Sequence, residues 1–350
     1  MPHKAIDLHC DSVFSLMEGK DLSTDVPDVY VDLPRLRKGK VALQVFAVYV
    51  PPKTESDKAF DFTTERLDAI DAFTKSSELL SPVETAAELE NVLANDKTGI
   101  MKAVENGHAI NNSLKNIERL RIRKVRLMNL VHSEHLSWVE SCTGKEKFIS
   151  DSAQSQGLSR FGEQVVDAMN DLGIIPDLSH VSENAFWDVV KRSKKPVVAS
   201  HSCAYGICAA ARNLKDDQLK ALGDTGGLVG INFFSAFLSE NYRLKFDEFV
   251  KNNPAVSIEQ MIINKQVPDL EVNVPLSVIA DHIDYIINMS GEDCVGLGSD
   301  FDGIFASPDG VSGSDFYPLL ETELRSRGYS EKRIEKVFNA NFLRLLKTWD

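Results

Sequence analysis

Apolar residues fall into eight short runs along the chain, at 5–8, 41–49, 98–104, 125–130, 174–178, 196–199, 227–232 and 294–298. Each is short for a helix, and several are rich in β-branched residues, so each is expected to be a strand. The stretches between them carry apolar residues at helical spacing. In 59–80, Phe60, Leu67, Ile70 and Phe73 share roughly one face, and Ser81-Pro82 is expected to break that helix. Further helices are expected at 84–93, 113–121, 161–172, 182–191, 214–222 and 276–289, with 316–327 and 331–348 closing the chain. Segment 133–157 is polar and Ser-rich and reads as a long loop, and 233–274 as an irregular, mostly helical excursion. This alternation predicts an α/β protein, a (β/α)8 TIM barrel, with a doubly wound sheet as the main competitor. No solenoid-length repeat and no Gly-rich linker divides the chain. Residues 1–350 are therefore expected to form one barrel domain with closing C-terminal helices.

The polar residues that follow these runs change the picture from scaffold to site. His9 and Asp11 leave the first run two residues apart, a spacing that points both side chains the same way on an extended chain. Glu105 follows the third run, His132 the fourth, His180 the fifth, His201 the sixth and Asp300 the eighth. A barrel keeps its active site at this end of its strands. Seven residues of metal-ligand type on six strand ends are poorly explained by packing, because unpaired buried charge is costly. His180 and His201, leaving neighbouring strands, are expected to share a metal ion, and Glu105 is a candidate bridging ligand. The remaining histidines, His3, His108, His135 and His282, are expected to be structural or solvated.

Composition adds exclusions. A 43% hydrophobic and 26% charged chain has the balance of a soluble globular protein. A net charge of −13 argues against nucleic-acid or anionic-membrane partners, which reward basic patches. The N-terminal segment lacks an apolar signal region, no run approaches membrane-spanning length, and the C-terminus lacks a lipid-anchor tail. Five scattered cysteines suggest neither a disulfide framework nor a CxxC site, so a cytoplasmic location is expected.

The blocks DLHCDS, VENGHA, DLSHVS, VVASHS, ARNLKDDQ, GGLVGINF, GLGSDFDG and NFLR, in this order, together resemble the membrane dipeptidase (renal dipeptidase) family, zinc dipeptidases of the amidohydrolase superfamily. The resemblance runs from about residue 5 to residue 345. It implies a (β/α)8 barrel holding two Zn2+ bridged by Glu105, one completed by His9 and Asp11 and the other by His180 and His201. It further implies His132 as the transition-state histidine, Asp300 as the proton-handling aspartate and Arg212 as the residue that receives the substrate's terminal carboxylate. The implied reaction is hydrolysis of dipeptides, L-Xaa-D-Xaa among them, by a hydroxide bridging the two metals. The chain departs from the family pattern at Cys10, where asparagine is usual, in the SEHLSW loop after His132, and at Ala211, where proline is common. None of these removes a ligand. Another amidohydrolase-type enzyme, such as a lactonase, amidase, phosphotriesterase or nuclease, is the first alternative, although those more often open with HxH. A metal-binding protein without catalysis is the second. A homodimer is the default expectation for assembly.

Overall fold

All eight expected strands form, joined by a ninth. They are β1 (Ala5–Cys10), β2 (Val41–Tyr49), β3 (Leu80–Pro82), β4 (Thr98–Glu105), β5 (Val125–Asn129), β6 (Ile175–Asp177), β7 (Val198–Ser202), β8 (Leu228–Ile231) and β9 (Val295–Leu297). The computed structural model describes residues 3–264 and 266–350. Every pairing is parallel, in the order β2-β1-β9-β8-β7-β6-β5-β4, and β2 pairs with β4 to close the ring. The architecture is the (β/α)8 barrel. Closure leaves no edge among these eight strands, and parallel strands need helical crossovers, which the amphipathic segments between the runs supply.

The β2–β4 register runs from Leu43↔Gly99 to Tyr49↔Glu105. Alternate residues Leu43, Val45 and Ala47 of β2 and Met101 and Ala103 of β4 join Ile6, Leu8, Leu127, Ile175, Val198 and Leu228 in one buried apolar cluster. The same alternation brings Tyr49 and Glu105 to the mouth of the barrel. Phe342, Leu345, Leu346 and Trp349 of the C-terminal segment belong to this cluster as well. The Trp349 indole N–H donates to the carbonyl of Pro196, just before β7, at 2.7 Å. The chain's end therefore closes the barrel floor and leaves the opposite face for chemistry.

Four local differences from the sequence expectation have physical causes. The helix from Ala59 stops at Lys75 rather than Leu80. The Ser76 hydroxyl donates to the carbonyl of Phe73 and the Ser77 hydroxyl accepts from the N–H of Leu79, which turns the chain out of the helix. Leu80–Pro82 is thereby free to pair with the first residues of β4 as β3. The expected single helix 331–348 is interrupted by a π turn, Lys336–Ala340. Asn339 there donates to the carbonyl of Lys4 (2.9 Å), and Asn341 just beyond donates to that of Val295 (2.8 Å), so the widened turn serves the strands of the floor. Short helices Val13–Met17 and Leu33–Lys38 were not anticipated, because runs of this length carry no readable period. Within 233–274 the helices are Ser235–Leu238, Glu240–Asn252 and Ile258–Ile263. Among the described residues no helix is long and apolar enough to cross a membrane.

His282 illustrates a histidine that serves packing. It is buried in helix Ser277–Ser290, where its Nδ1 accepts from the N–H of Ala204 (3.1 Å). Nε2 must then carry the hydrogen, which it donates to the carbonyl of Leu238 (2.9 Å). Burial pushes its pKa from 6.5 down to about 4. The unfolded chain takes up this proton as pH falls through 6.5 while the folded chain does not, so the group's contribution is present above pH 6.5 and lost towards pH 4. The loss amounts to about 3 kcal/mol. In urea titrations, the stability difference between the native chain and His282→Gln should shrink by about this much over that window. A difference independent of pH would refute the neutral, doubly bonded ring.

Candidate active site

A buried aspartate fixes the first pair of site residues. Asp7, within β1, accepts from the N–H of Ser299 (2.8 Å), the Ser299 hydroxyl (2.6 Å) and the Tyr317 phenol (2.7 Å). The Ser299 hydroxyl also donates to the carbonyl of His9 (3.1 Å), and the N–H of Asp300 donates to the same carbonyl (3.1 Å). The ends of β1 and β9 are thus tied together, setting His9 and Asp11 beside Asp300. Asp177 does the same between β6 and β7, accepting from the N–H of Ser179 (3.1 Å) and of Ser200 (2.9 Å). The Ser179 hydroxyl in turn accepts from the N–H of His201 (3.0 Å). Neither aspartate figured in the sequence reading. The available signal was a carboxylate inside an apolar strand run just ahead of a histidine, where burial demands donors.

Backbone conformation sharpens the placement. Asp300 and His180 adopt left-handed φ values of 64° and 76°. Asp and His tolerate that region better than most residues. At Gly303 a Cβ would lie 2.0 Å from the Asp11 Oδ2 and 2.6 Å from the Asp300 Oδ1, so only glycine lets this loop close over the carboxylates.

The other six strand-end residues gather around Glu105, four histidines beside it and Asp11 and Asp300 joined to it through His9. The Glu105 Oε1 lies 2.9 Å from the Nε2 of His180, 3.4 Å from that of His201 and 3.9 Å from that of His132. Its Oε2 lies 3.7 Å from the Nε2 of His9, which is itself 3.8 Å from the Asp11 Oδ2 and 3.9 Å from the Asp300 Oδ1. The Nε2 atoms of His180 and His201 are 3.0 Å apart. Donor atoms approach within 4.8 Å of one another in three groups: His9, Glu105 and His201; Glu105, His132 and His180; His9, Asp11 and Asp300. The grouping cuts across the division implied by the resemblance in one respect, since His201 falls with His9 as well as beside His180. Asn232, another residue the sequence reading passed over, donates to the Asp300 Oδ2 at 2.8 Å and leaves Oδ1 facing His9.

The electrostatics are those of crowded carboxylates. Burial and the charge of Glu105 push Asp11 up to about 8, and burial foremost pushes Asp300 up to about 6. Burial also opposes ionisation of Glu105, but His9, His180 and His201 outweigh it and hold that carboxyl well below its usual range. Burial disfavours charge on His9, yet Glu105 and Asp11 raise it well above 6.5. Burial drives His180 and His201 well down and His132 to about 4, so these rings are neutral and able to ligate. The His9 Nε2 and the Asp11 Oδ1 are buried without hydrogen-bond partners among the described residues. Orphaned imidazole nitrogen and carboxylate oxygen, arranged about a shared carboxylate, fit divalent cations of the zinc type.

Beside this cluster opens a cavity of about 530 Å3, whose lining includes His180, Arg212, Cys142, Tyr205, Glu140 and Lys215. Arg212 is buried, donates to the carbonyl of His201 (3.2 Å) and lies 5.7 Å from the Phe237 ring. Among the described residues it has no carboxylate within salt-bridge distance, which leaves a desolvated guanidinium lining the cavity. The other histidines are held locally: His3 by Glu321, His108 by the carbonyl of Thr54, and His135 by Ser141 and the carbonyl of Glu146.

Fold and site together define a parallel barrel with imidazoles and carboxylates gathered at its carboxyl-end mouth. Residues 2–350 match the family of membrane dipeptidases (peptidase family M19), and the chain belongs to that family. Dipeptidase 3 of Macaca fascicularis is 30% identical over 316 residues, covering 90% of this chain and 57% of that protein. The chain thus spans a little over half the length of these curated relatives. A metallopeptidase from Rhodobacter sphaeroides, liganded with a phosphinate mimic of the dipeptide L-Ala-D-Ala, superposes with a TM-score of 0.85 at 24% identity over 100% of both chains. Dipeptidase AC, a metallopeptidase of family M19, superposes with a TM-score of 0.83 at 25% identity, covering 100% of this chain and 99% of that one.

Proposed function

We propose that the protein is a binuclear zinc dipeptidase of the cytoplasm, built as one barrel domain with closing C-terminal helices, that hydrolyses dipeptides including L-Xaa-D-Xaa. The observation that carries this reading is the division of labour at Glu105, one oxygen facing His180 and His201 and the other facing His9. His9, Asp11 and Glu105 would hold one ion, and His180, His201 and Glu105 the other. Bound there, two divalent cations would polarise the scissile carbonyl and acidify a water towards neutral pH.

The chain's own groups then divide the remaining tasks. Arg212 grips the free C-terminal carboxylate of the substrate with its planar fork. That grip places the scissile bond one residue from the carboxylate, which selects dipeptides over longer chains. Asp300 accepts the proton of the attacking water as the new C–O bond forms, then delivers it to the amine as the C–N bond breaks. The neutral His132 donates a hydrogen bond to the developing oxyanion, a contact commonly worth about 2.7–4 kcal/mol of barrier. A purely structural metal site has no use for a buried guanidinium without a counter-ion, which is why the catalytic reading is preferred over a binding protein.

The test compares a dipeptide with its C-terminal amide. Arg212→Ala should raise KM for the dipeptide roughly 10–100-fold, the worth of a charged hydrogen-bonded pair, and change the amide little. Equal effects on both would remove Arg212 from the carboxylate site.

A further inference from the structure

His132 differs from its neighbours in how it is held. The His201 ring is anchored by its Nδ1, 2.7 Å from the Ser200 hydroxyl. The His132 ring forms no hydrogen bond among the described residues, and its Nδ1 is buried without a partner. Three neighbours surround it. The Ser141 hydroxyl, from the 133–157 segment, donates to the carbonyl of His132. The Tyr49 ring stands T-shaped to the imidazole with centroids 4.7 Å apart, and the His180 ring lies on another side at 4.2 Å.

Ser141 is itself firmly placed. It is buried, its N–H donates to the His135 Nδ1 (2.9 Å), and it bridges to Val181 beside His180. The next residue, Cys142, donates its N–H to the carbonyl of His180 (2.9 Å). Two consecutive loop residues therefore hold the backbones of His132 and His180, which leave adjacent strands. Tyr49 is the strand-pair partner of Glu105 at the end of β2, so its ring is set by barrel register rather than by a loop.

We propose that Ser141 and Tyr49 are the positioning residues of His132, Ser141 fixing its main chain and Tyr49 the plane of its ring. The inference rests on the dipeptidase reading for the meaning of His132, but its geometry does not. A ring without hydrogen bonds has no other restraint on its rotation than packing, and a donor misplaced by a fraction of an ångström loses contact with an oxyanion. The assignment also gives His135 a place: it holds the N–H of Ser141 and so supports the support.

The experiment uses the zinc-loaded full chain and two readouts. In steady-state kinetics with a dipeptide, Ser141→Ala and Tyr49→Leu should each lower kcat about tenfold with KM within twofold, the pattern of an interaction made in the transition state. Ser141→Thr and Tyr49→Phe, which keep the hydroxyl and the ring, should restore most of the loss. In imidazole NMR spectra, Ser141→Ala and Tyr49→Leu should shift or broaden the His132 signals and leave those of His201 in place. Unchanged His132 signals in both variants would overturn the proposal, as would Tyr49→Phe losing as much as Tyr49→Leu. Displacement of all site histidines together would assign the two residues to general folding and overturn it too. If the native chain hydrolysed no dipeptide, the functional reading would fail while the NMR comparison still decided the positioning.

Discussion

Glu105→Gln is expected to empty the site and abolish turnover while leaving the barrel folded. Glutamine matches glutamate in volume, so the buried space at the end of β4 stays filled. It offers one acceptor oxygen in place of two, however, and no charge. In the native chain one oxygen lies 2.9 Å from His180 and the other 3.7 Å from His9, and no other described carboxylate stands between the two histidine sets in this way. An amide nitrogen on either side turns a ligand into a repelled donor. Zinc content should fall from about two per chain to one or none. Hydrolysis should fall at least about 10^3-fold, since even a group that merely orients a metal ligand is worth 10–100-fold. Metal analysis beside a melting curve separates this outcome from unfolding. Two retained zinc ions with activity within tenfold of the native chain would show that Glu105 is not the bridge.

The second large effect separates metal holding from proton handling. Asp300→Asn should keep both ions and lose about 10^2–10^4-fold in kcat, the usual worth of a positioned acid-base group. Asparagine tolerates the left-handed φ of 64° at this position, so the loop conformation survives. Asn232 donates to the Asp300 Oδ2 at 2.8 Å and would orient the new amide with its oxygen towards itself. That leaves an NH2 group on the side facing His9, unable to accept a proton. Because Asp300 also falls in a group with His9 and Asp11, loss of one zinc on this substitution would make it a ligand instead, and full activity would exclude it from proton transfer.

The barrel and its mouth were legible because the sequence punctuates them. Six of the eight apolar runs give way to residues of ligand type, and these seven residues gather in one cluster with Glu105 at its centre. What the sequence hides is whatever depends on pairing across distance or on irregular backbone. β3 has three residues, one of them proline, and exists because two serines turn the chain after Lys75. The π turn at Lys336–Ala340 inserts no distinctive residue into a helical pattern. Asp7 and Tyr317 meet across 310 positions, and Ser141 is one serine among many in a polar loop until its hydroxyl reaches the carbonyl of His132. Asn232 and Tyr49 likewise look like ordinary strand-end residues, and acquire meaning only from what the closed barrel places opposite them.

Zinc titrated into chelator-stripped protein, while hydrolysis of an L–L and an L–D dipeptide is followed, tests whether the chain is a two-metal dipeptidase. Activity on at least one of them should rise from near zero to a plateau at about two equivalents per chain, with Glu105 supplying a ligand to each ion. Full hydrolysis by the stripped protein, or a plateau at one equivalent, would rule out two-metal catalysis.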